Sequence, residues 1–127
     1  MCASPTTPLL LIVDDDVQSA RALAQLLRED GYSVEVAHDG AAAIGRLTRD
    51  PPPQLIATDL RLPRASGLEV IRFARQRHPA MPIVVVTGYP ELVADMKDTF
   101  PVFGKPLAYV DFTRAVVSLL EKSSSLR

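Results

Sequence analysis

Residues 9–37 read LLLIVDDDVQSARALAQLLREDGYSVEVA. The run Leu9 to Val13 is short and continuously apolar, the mark of a strand buried on both faces. From Asp16 to Asp30, Ala20, Leu23, Ala24 and Leu27 recur at helical spacing and Gly31 closes the helix, after which Ser33 to Ala37 is short and strand-like again. A buried strand, an amphipathic helix and a second strand make the repeating unit of a parallel sheet whose crossovers are helices. The three aspartates Asp14, Asp15 and Asp16 stand at the tip of the first strand. Like charges at the end of a buried strand repel and resist desolvation, so a cation or a helix N-terminus has to compensate them. Both readings stay open at this point: a metal site, or a cap at Asp16 with two solvated neighbours.

The unit recurs along the chain. Ala41 to Thr48 reads as a second helix stopped by Pro51, Pro52 and Pro53, and Leu55 to Thr58 as a third strand. Leu68, Ile71 and Ala74 form the apolar stripe of a third helix ending before Pro79. Pro82 introduces Ile83 to Val86, the most β-branched strand. A short fourth helix is predicted over Pro90 to Lys97, a brief last strand at Val102 and Phe103, and a final helix from Ala108 to Lys122 lined by Phe112, Val116 and Leu119. The count is five strands and five helices, an α/β, doubly wound parallel sheet. All 11 prolines fall at element edges or in loops, where a missing N–H costs least.

With 127 residues the chain fits one domain. The expected division is a flexible leader over 1–8, the folded unit over 9–122 and a frayed tail over 123–127. A formal charge of −1, from 14 Lys and Arg against 15 Asp and Glu, gives no overall bias towards nucleic acid or an anionic membrane. Cys2 is the only cysteine, which excludes an internal disulfide and suits a reducing, cytoplasmic setting. No apolar stretch reaches the length a bilayer requires.

In an open parallel sheet, ligands bind beyond the carboxyl ends of the strands. At those ends stand Asp14 and Asp15, then Asp59, then Thr87 with Gly88, then Lys105 with Pro106. Each alone has an ordinary explanation as a cap, a turn residue or a solvated lysine. Together they bring three carboxylates, a hydroxyl and an ammonium to one edge. His38 and His78 are read as solvated, and Arg61, Arg64, Arg72, Arg75 and Arg77 make the surroundings of the third helix basic, most simply as a solvated face.

The stretches LIVDDD at 11–16, TDLRLPRASGLEVI at 58–71, VVVTGY at 84–89 and GKP at 104–106 resemble, in order and over nearly the whole chain, the receiver domains of bacterial two-component response regulators. The resemblance implies a flavodoxin-like strand order 2-1-3-4-5. It implies that Asp59 becomes an aspartyl phosphate, that Asp14, Asp15, Asp59 and the backbone carbonyl of Arg61 hold a divalent ion, that Thr87 bonds one phosphoryl oxygen and Lys105 pairs with another, and that the Lys105–Pro106 bond is cis. Oxygen-only ligands favour Mg²⁺, or Mn²⁺, over zinc. The implied partner is a sensor histidine kinase or a histidine phosphotransfer protein, in a phosphorelay within the cytoplasm, with neither nucleic acid nor membrane engaged. Such a domain catalyses only its own phosphorylation and slow dephosphorylation. It is either a single-domain regulator or a receiver segment of a larger hybrid kinase.

Two departures stand out. The position three before the lysine, usually aromatic in the family, is Val102, so Phe100, Phe103 or Tyr89 has to take over any aromatic coupling; Tyr89 can also shade the site. The interval from Thr87 to Lys105 is a few residues short, so the fourth helix is expected to be truncated or irregular. The alternatives are a docking module not regulated by phosphorylation, and a phosphatase of the haloacid dehalogenase type with Asp14 as nucleophile and Asp16 as acid/base.

Overall fold

The computed structural model describes residues 7–125. The strands β1 (Leu9–Val13), β2 (Ser33–Ala37), β3 (Leu55–Thr58), β4 (Ile83–Thr87) and β5 (Val102–Gly104) form one sheet in the order β2-β1-β3-β4-β5. All four pairings are parallel, as the implied order requires. The α-helices are α1 (Val17–Glu29), α2 (Gly40–Leu47), α3 (Gly67–Arg77) and α4 (Tyr109–Ser125).

Residues that alternate along a strand face opposite sides, and two cores follow. Leu11, Val13, Ile56 and Val85 meet Val70, Ile71 and Ala74 of α3 and Ala43 and Leu47 of α2. Leu10, Ile12, Leu55, Ala57, Val84 and Val86 meet Ala20, Ala24 and Leu27 of α1 and Phe112 and Val116 of α4. Burying one such Leu, Val or Phe completely contributes about 1.5–3 kcal/mol, so the paired layers fix which strand faces are covered. The third-helix stripe needs correction: Leu68 is exposed, and the buried residues are Gly67, Val70, Ile71 and Ala74. The buried stripe is centred on Gly67, Val70, Ile71 and Ala74, which leaves Leu68 at its exposed edge.

The expected fourth helix, Pro90 to Lys97, is a correction of kind. Between β4 and β5 the chain forms a 3₁₀ segment, Pro90–Asp98, broken at Val93, where the backbone is non-helical. Pro90 supplies no N–H, no side chain caps the start, and the interval is too short for a longer element. The truncation foreseen from the spacing is therefore realised. At the other end of the chain, α4 continues through Ser123 to Ser125 instead of ending at Lys122. Residues 1–6 of the expected leader, with Cys2, and residues 126 and 127 of the expected tail lie outside the described residues. Among the described residues no helix is long and apolar enough to cross a membrane.

Two glycines bring elements close to the β3–α3 loop. A Cβ on Gly40 would lie 1.9 Å from the carbonyl oxygen of Ala65, and one on Gly67 would lie 2.1 Å from that of Asp59. Only glycine permits these approaches. Within the same loop Arg64 and Ala65 have positive φ, 65° and 152°.

Candidate functional site

Helix caps aim the first carboxylates. Asp16 is the N-cap of α1, its Oδ1 accepting from the backbone N–H of Gln18 at 3.1 Å and of Ser19 at 3.2 Å. The Ser19 bond, made to the charged form, is the main reason its carboxyl lies below the ordinary aspartate range. Of the two readings of the triplet, Asp16 takes the cap. A side chain so engaged is poorly placed as the acid/base of the phosphatase alternative. Asp14, 7% exposed, accepts from the N–H of Asp16 at 3.0 Å through Oδ1.

The ends of β1, β3 and β5 meet at Lys105. Its ammonium donates to Asp14 Oδ2 at 3.0 Å and to Asp59 Oδ2 at 2.8 Å. Burial alone would lower the Lys105 ammonium, but hydrogen bonds and Coulomb attraction to Asp59 and Asp14 outweigh it and raise it above the usual lysine range. Asp59 is 8% exposed, and its Oδ1 accepts from the N–H of Arg61 at 3.2 Å. Ligand atoms of Asp14, Asp15 and Asp59 lie within 4.8 Å of one another, and Asp15 is exposed. An all-oxygen set of this kind suits a hard divalent cation. Asp14, Asp15, Asp59 and Lys105, all read from the sequence as strand-end residues, are thus brought together here.

Thr87 closes β4 almost fully buried. Its Oγ1 accepts from the N–H of Tyr89 at 3.1 Å, which leaves the hydroxyl proton for another acceptor. The backbone N–H of Lys105 donates to the Thr87 carbonyl at 3.0 Å, so the hydroxyl and the ammonium are carried on adjoining backbone. The Lys105–Pro106 bond is cis, as the resemblance implied, and so is Asp50–Pro51.

The aromatic substitutes separate clearly. Phe100 is buried under α3 with the Arg75 guanidinium 5.1 Å from its ring centre, and Phe103 packs edge-on to Phe112 at 5.8 Å on the other face. Tyr89 is exposed, with the Arg61 guanidinium 4.4 Å from its ring centre. The two loops flanking Asp59 and Thr87 are therefore joined by a cation–π contact.

The basic surroundings of α3 form a largely solvated face, with Arg61, Arg64, Arg72 and Arg77 exposed and Arg75 half-buried, and several of these arginines also make surface bonds. Arg75 donates to the Pro79 carbonyl, Arg77 to that of Thr48, and Arg64 lies 3.8 Å from Asp39. His78 is half-buried with Nε2 3.3 Å from the Leu47 carbonyl, while His38 is exposed with Nδ1 3.0 Å from the Asp14 carbonyl. Neither histidine is solvated without a partner. Sequence reasoning passed over Arg46 altogether. It is buried, with Nε bonded to Glu35 at 2.6 Å and its other nitrogens to the carbonyls of Arg49 and Pro51. A helical Arg next to Leu47 carries no local signal of that three-way role.

Comparison with known proteins agrees with this geometry. The family model described as the response regulator receiver domain matches residues 10–100. Curated proteins named response regulator MprA, from Mycobacterium avium and Mycobacterium tuberculosis, are each 42% identical over 79 residues, which is 62% of this chain and 34% of theirs. The chain thus spans about a third of the length of these relatives. Among solved structures, a CheY-like response regulator receiver domain protein from Methanospirillum hungatei superposes with a TM-score of 0.86 at 25% identity, covering 96% of this chain and all of that one. A response regulator receiver protein from Sinorhizobium medicae gives 0.83 at 27% identity, covering 92% and 97%.

Proposed function

Because this chain belongs to the response regulator receiver domain family, we propose that its Asp59 accepts a phosphoryl group from a phosphohistidine on a sensor kinase or phosphotransfer partner and thereby acts as a switch. The observation that carries the proposal is the Lys105 ammonium bonded to both Asp14 and Asp59 with Asp15 beside them. Three clustered carboxylates with one ammonium leave excess negative charge, which a divalent ion neutralises.

Asp14, Asp15, Asp59 and the Arg61 carbonyl are the groups that would hold Mg²⁺ or Mn²⁺. When bound, that ion supplies charge neutralisation for the phosphoryl oxygens. The chain's own residues do the rest. An Asp59 carboxylate oxygen attacks phosphorus; the O–P bond forms as the donor's N–P bond breaks, and the imidazole leaves with the bonding pair and takes up a proton. Lys105 follows a phosphoryl oxygen as Asp59 loses its charge, and Thr87 donates its free hydroxyl proton to another. Positioning and electrostatics supply the acceleration, as they do in phosphoryl transfer generally. The domain is not a metabolic enzyme; its self-phosphorylation and slow dephosphorylation are part of this proposal, as is action inside the cytoplasm.

The test is incubation with Mg²⁺ and phosphoramidate, comparing the wild type with Asp59→Asn and Asp14→Asn. The expected label is stable to acid, labile to base and hydroxylamine, absent in Asp59→Asn and lost in excess chelator. A label that persists in Asp59→Asn and disappears in Asp14→Asn would make Asp14 the nucleophile. A wild type that takes no label would leave a docking module.

A further inference from the structure

In the sequence of β3, LIAT, one hydroxyl interrupts an apolar run immediately before the acceptor. Thr58 is completely buried, and strand alternation puts it on the face of Ile56, in the core formed with α2 and α3. A buried hydroxyl is costly unless it is bonded, and valine would fill nearly the same volume without that cost. The bond it makes is specific: Thr58 Oγ1 donates to the carbonyl oxygen of Asp59 at 2.8 Å. The β3–β4 pairing ends at Thr58 opposite Val85, so this carbonyl stands one residue past the ladder.

The same oxygen is confined by α3, whose first residue, Gly67, would bring a Cβ within 2.1 Å of it. The N–H of Asp59 donates to the Val13 carbonyl at 2.9 Å. Both backbone groups of the acceptor residue are therefore held, one by β1 and the other by the Thr58 hydroxyl. The Asp59–Leu60 peptide leads straight into Arg61, whose N–H reaches Asp59 Oδ1 at 3.2 Å. A change in the direction of that peptide alters where Leu60 leads the chain and so where the Arg61 N–H stands relative to the Asp59 carboxylate.

We propose that Thr58 is a positioning residue for phosphoryl acceptance: its hydroxyl fixes the Asp59–Leu60 peptide and through it the direction of the Asp59 carboxylate and the Arg61 backbone. The proposal rests on Asp59 being the acceptor. Reactions at a held nucleophile are sensitive to displacements of about 1 Å, enough to change a rate up to about 10²-fold, whereas the fold depends mainly on the volume at this position. Thr58→Val keeps the volume and removes the donor; Thr58→Ser keeps the donor and removes a buried methyl.

The experiment uses the full chain with phosphoramidate and a Mg²⁺ titration, together with urea unfolding of each variant. Thr58→Val is expected to unfold cooperatively near the wild-type midpoint but to label Asp59 roughly tenfold more slowly at saturating Mg²⁺, with a half-saturating Mg²⁺ concentration raised several-fold. Thr58→Ser is expected to unfold earlier yet label at the wild-type rate. If Thr58→Val does not fold, Thr58→Ala carries the same kinetic expectation. Equal rates in wild type and the hydroxyl-free variant would overturn the role of Thr58, as would rates that merely follow stability across the series. A wild type that fails to label would instead overturn the acceptor assignment.

Discussion

Two crossovers reach the site from the middle of the sheet, and they are built on different terms. The β3–α3 crossover is held at every step. Thr58 and Gly67 confine the Asp59 carbonyl, the Gly67 N–H donates to the Leu60 carbonyl, and Ser66 and Glu69 form a reciprocal capping box at the start of α3. The β4–β5 crossover is the 3₁₀ segment, uncapped and broken at Val93, secured at its far end by Phe100 under α3 and Arg75. The two share one side-chain contact at the mouth of the site, Arg61 on Tyr89. The contrast teaches that the acceptor is built into the rigid part of the fold, whereas Thr87 borders a segment held mostly by local bonds. In the proposed function, the acceptor Asp59 and the hydroxyl of Thr87 thus stand on differently held segments.

The largest effect is expected at Gly67, where the β3–α3 crossover is tightest. Gly67→Ala places a Cβ against the Asp59 carbonyl and Leu60 backbone, and backbone cannot move aside as a side-chain tip can. We expect a loss of about 3 kcal/mol in urea unfolding, the upper range for overpacking, and little labelling of Asp59 in whatever folds. A variant with the wild-type midpoint would mean that the clamp on the acceptor is loose.

Next come the caps. Ser66→Ala removes one half of the capping box and is expected to cost about 1 kcal/mol by thermal or urea unfolding. At Asp16 the test is a pH profile. Its folded carboxyl lies below the unfolded value chiefly through the Ser19 N–H, so its stabilisation is present above the ordinary aspartate range and lost as pH falls through the lowered value. Unfolding midpoints measured from roughly pH 5 to pH 2 should therefore converge for wild type and Asp16→Asn towards the acid end. Parallel curves would remove the charge from the cap's role.

How far such features can be read from sequence depends on their range. Short apolar runs placed all five strands to within a residue, because strands covered on both faces of a parallel sheet announce themselves within a few residues. The Asp16 cap was equally local. Asp14, Asp59 and Lys105 are distant in sequence and became legible together only because strand ends share an edge. The roles of Thr58 and Arg46 were not legible: each depends on which backbone carbonyl lies within 3 Å or so of a polar atom, a fact of tertiary geometry. Leu68 was misplaced for a related reason, since the buried stripe is centred on Gly67, Val70, Ile71 and Ala74 and Leu68 stands at its exposed edge.

A smaller effect probes the contact joining the two regions. Tyr89→Ala removes the Arg61 stack, worth about 0.5–1 kcal/mol at an exposed site, so unfolding should barely change. The lifetime of the aspartyl phosphate, followed as label loss after donor removal, should shorten because water gains access beside Asp59. Arg61→Ala should shorten it similarly, and the double variant no further. Additive effects would show that the two side chains act separately, and among the side-chain links described the regions would then be joined only at their far end, through Phe100, α3 and Arg75.

The smallest effect comes from placing one substitution in both kinds of structure, a regular helix and the 3₁₀ segment. Ala22 is exposed in the middle of α1, and Ala94 is exposed in the 3₁₀ segment just past the break at Val93. Alanine to glycine in a regular helix costs about 1 kcal/mol, since the backbone freedom gained on unfolding is set against ordered i to i−4 bonds. Ala22→Gly should show that full cost. At Ala94 there is no regular helix to weaken, and a backbone already irregular there has less order to lose; Ala94→Gly should cost less than about half as much. Equal costs would mean that the 3₁₀ segment is as cooperatively ordered as α1, and the distinction between a firmly held β3–α3 crossover and a loosely held β4–β5 crossover would fall. A difference in the expected direction should also appear as faster amide hydrogen exchange across 90–98 than across α3, since locally bonded segments open without unfolding the core.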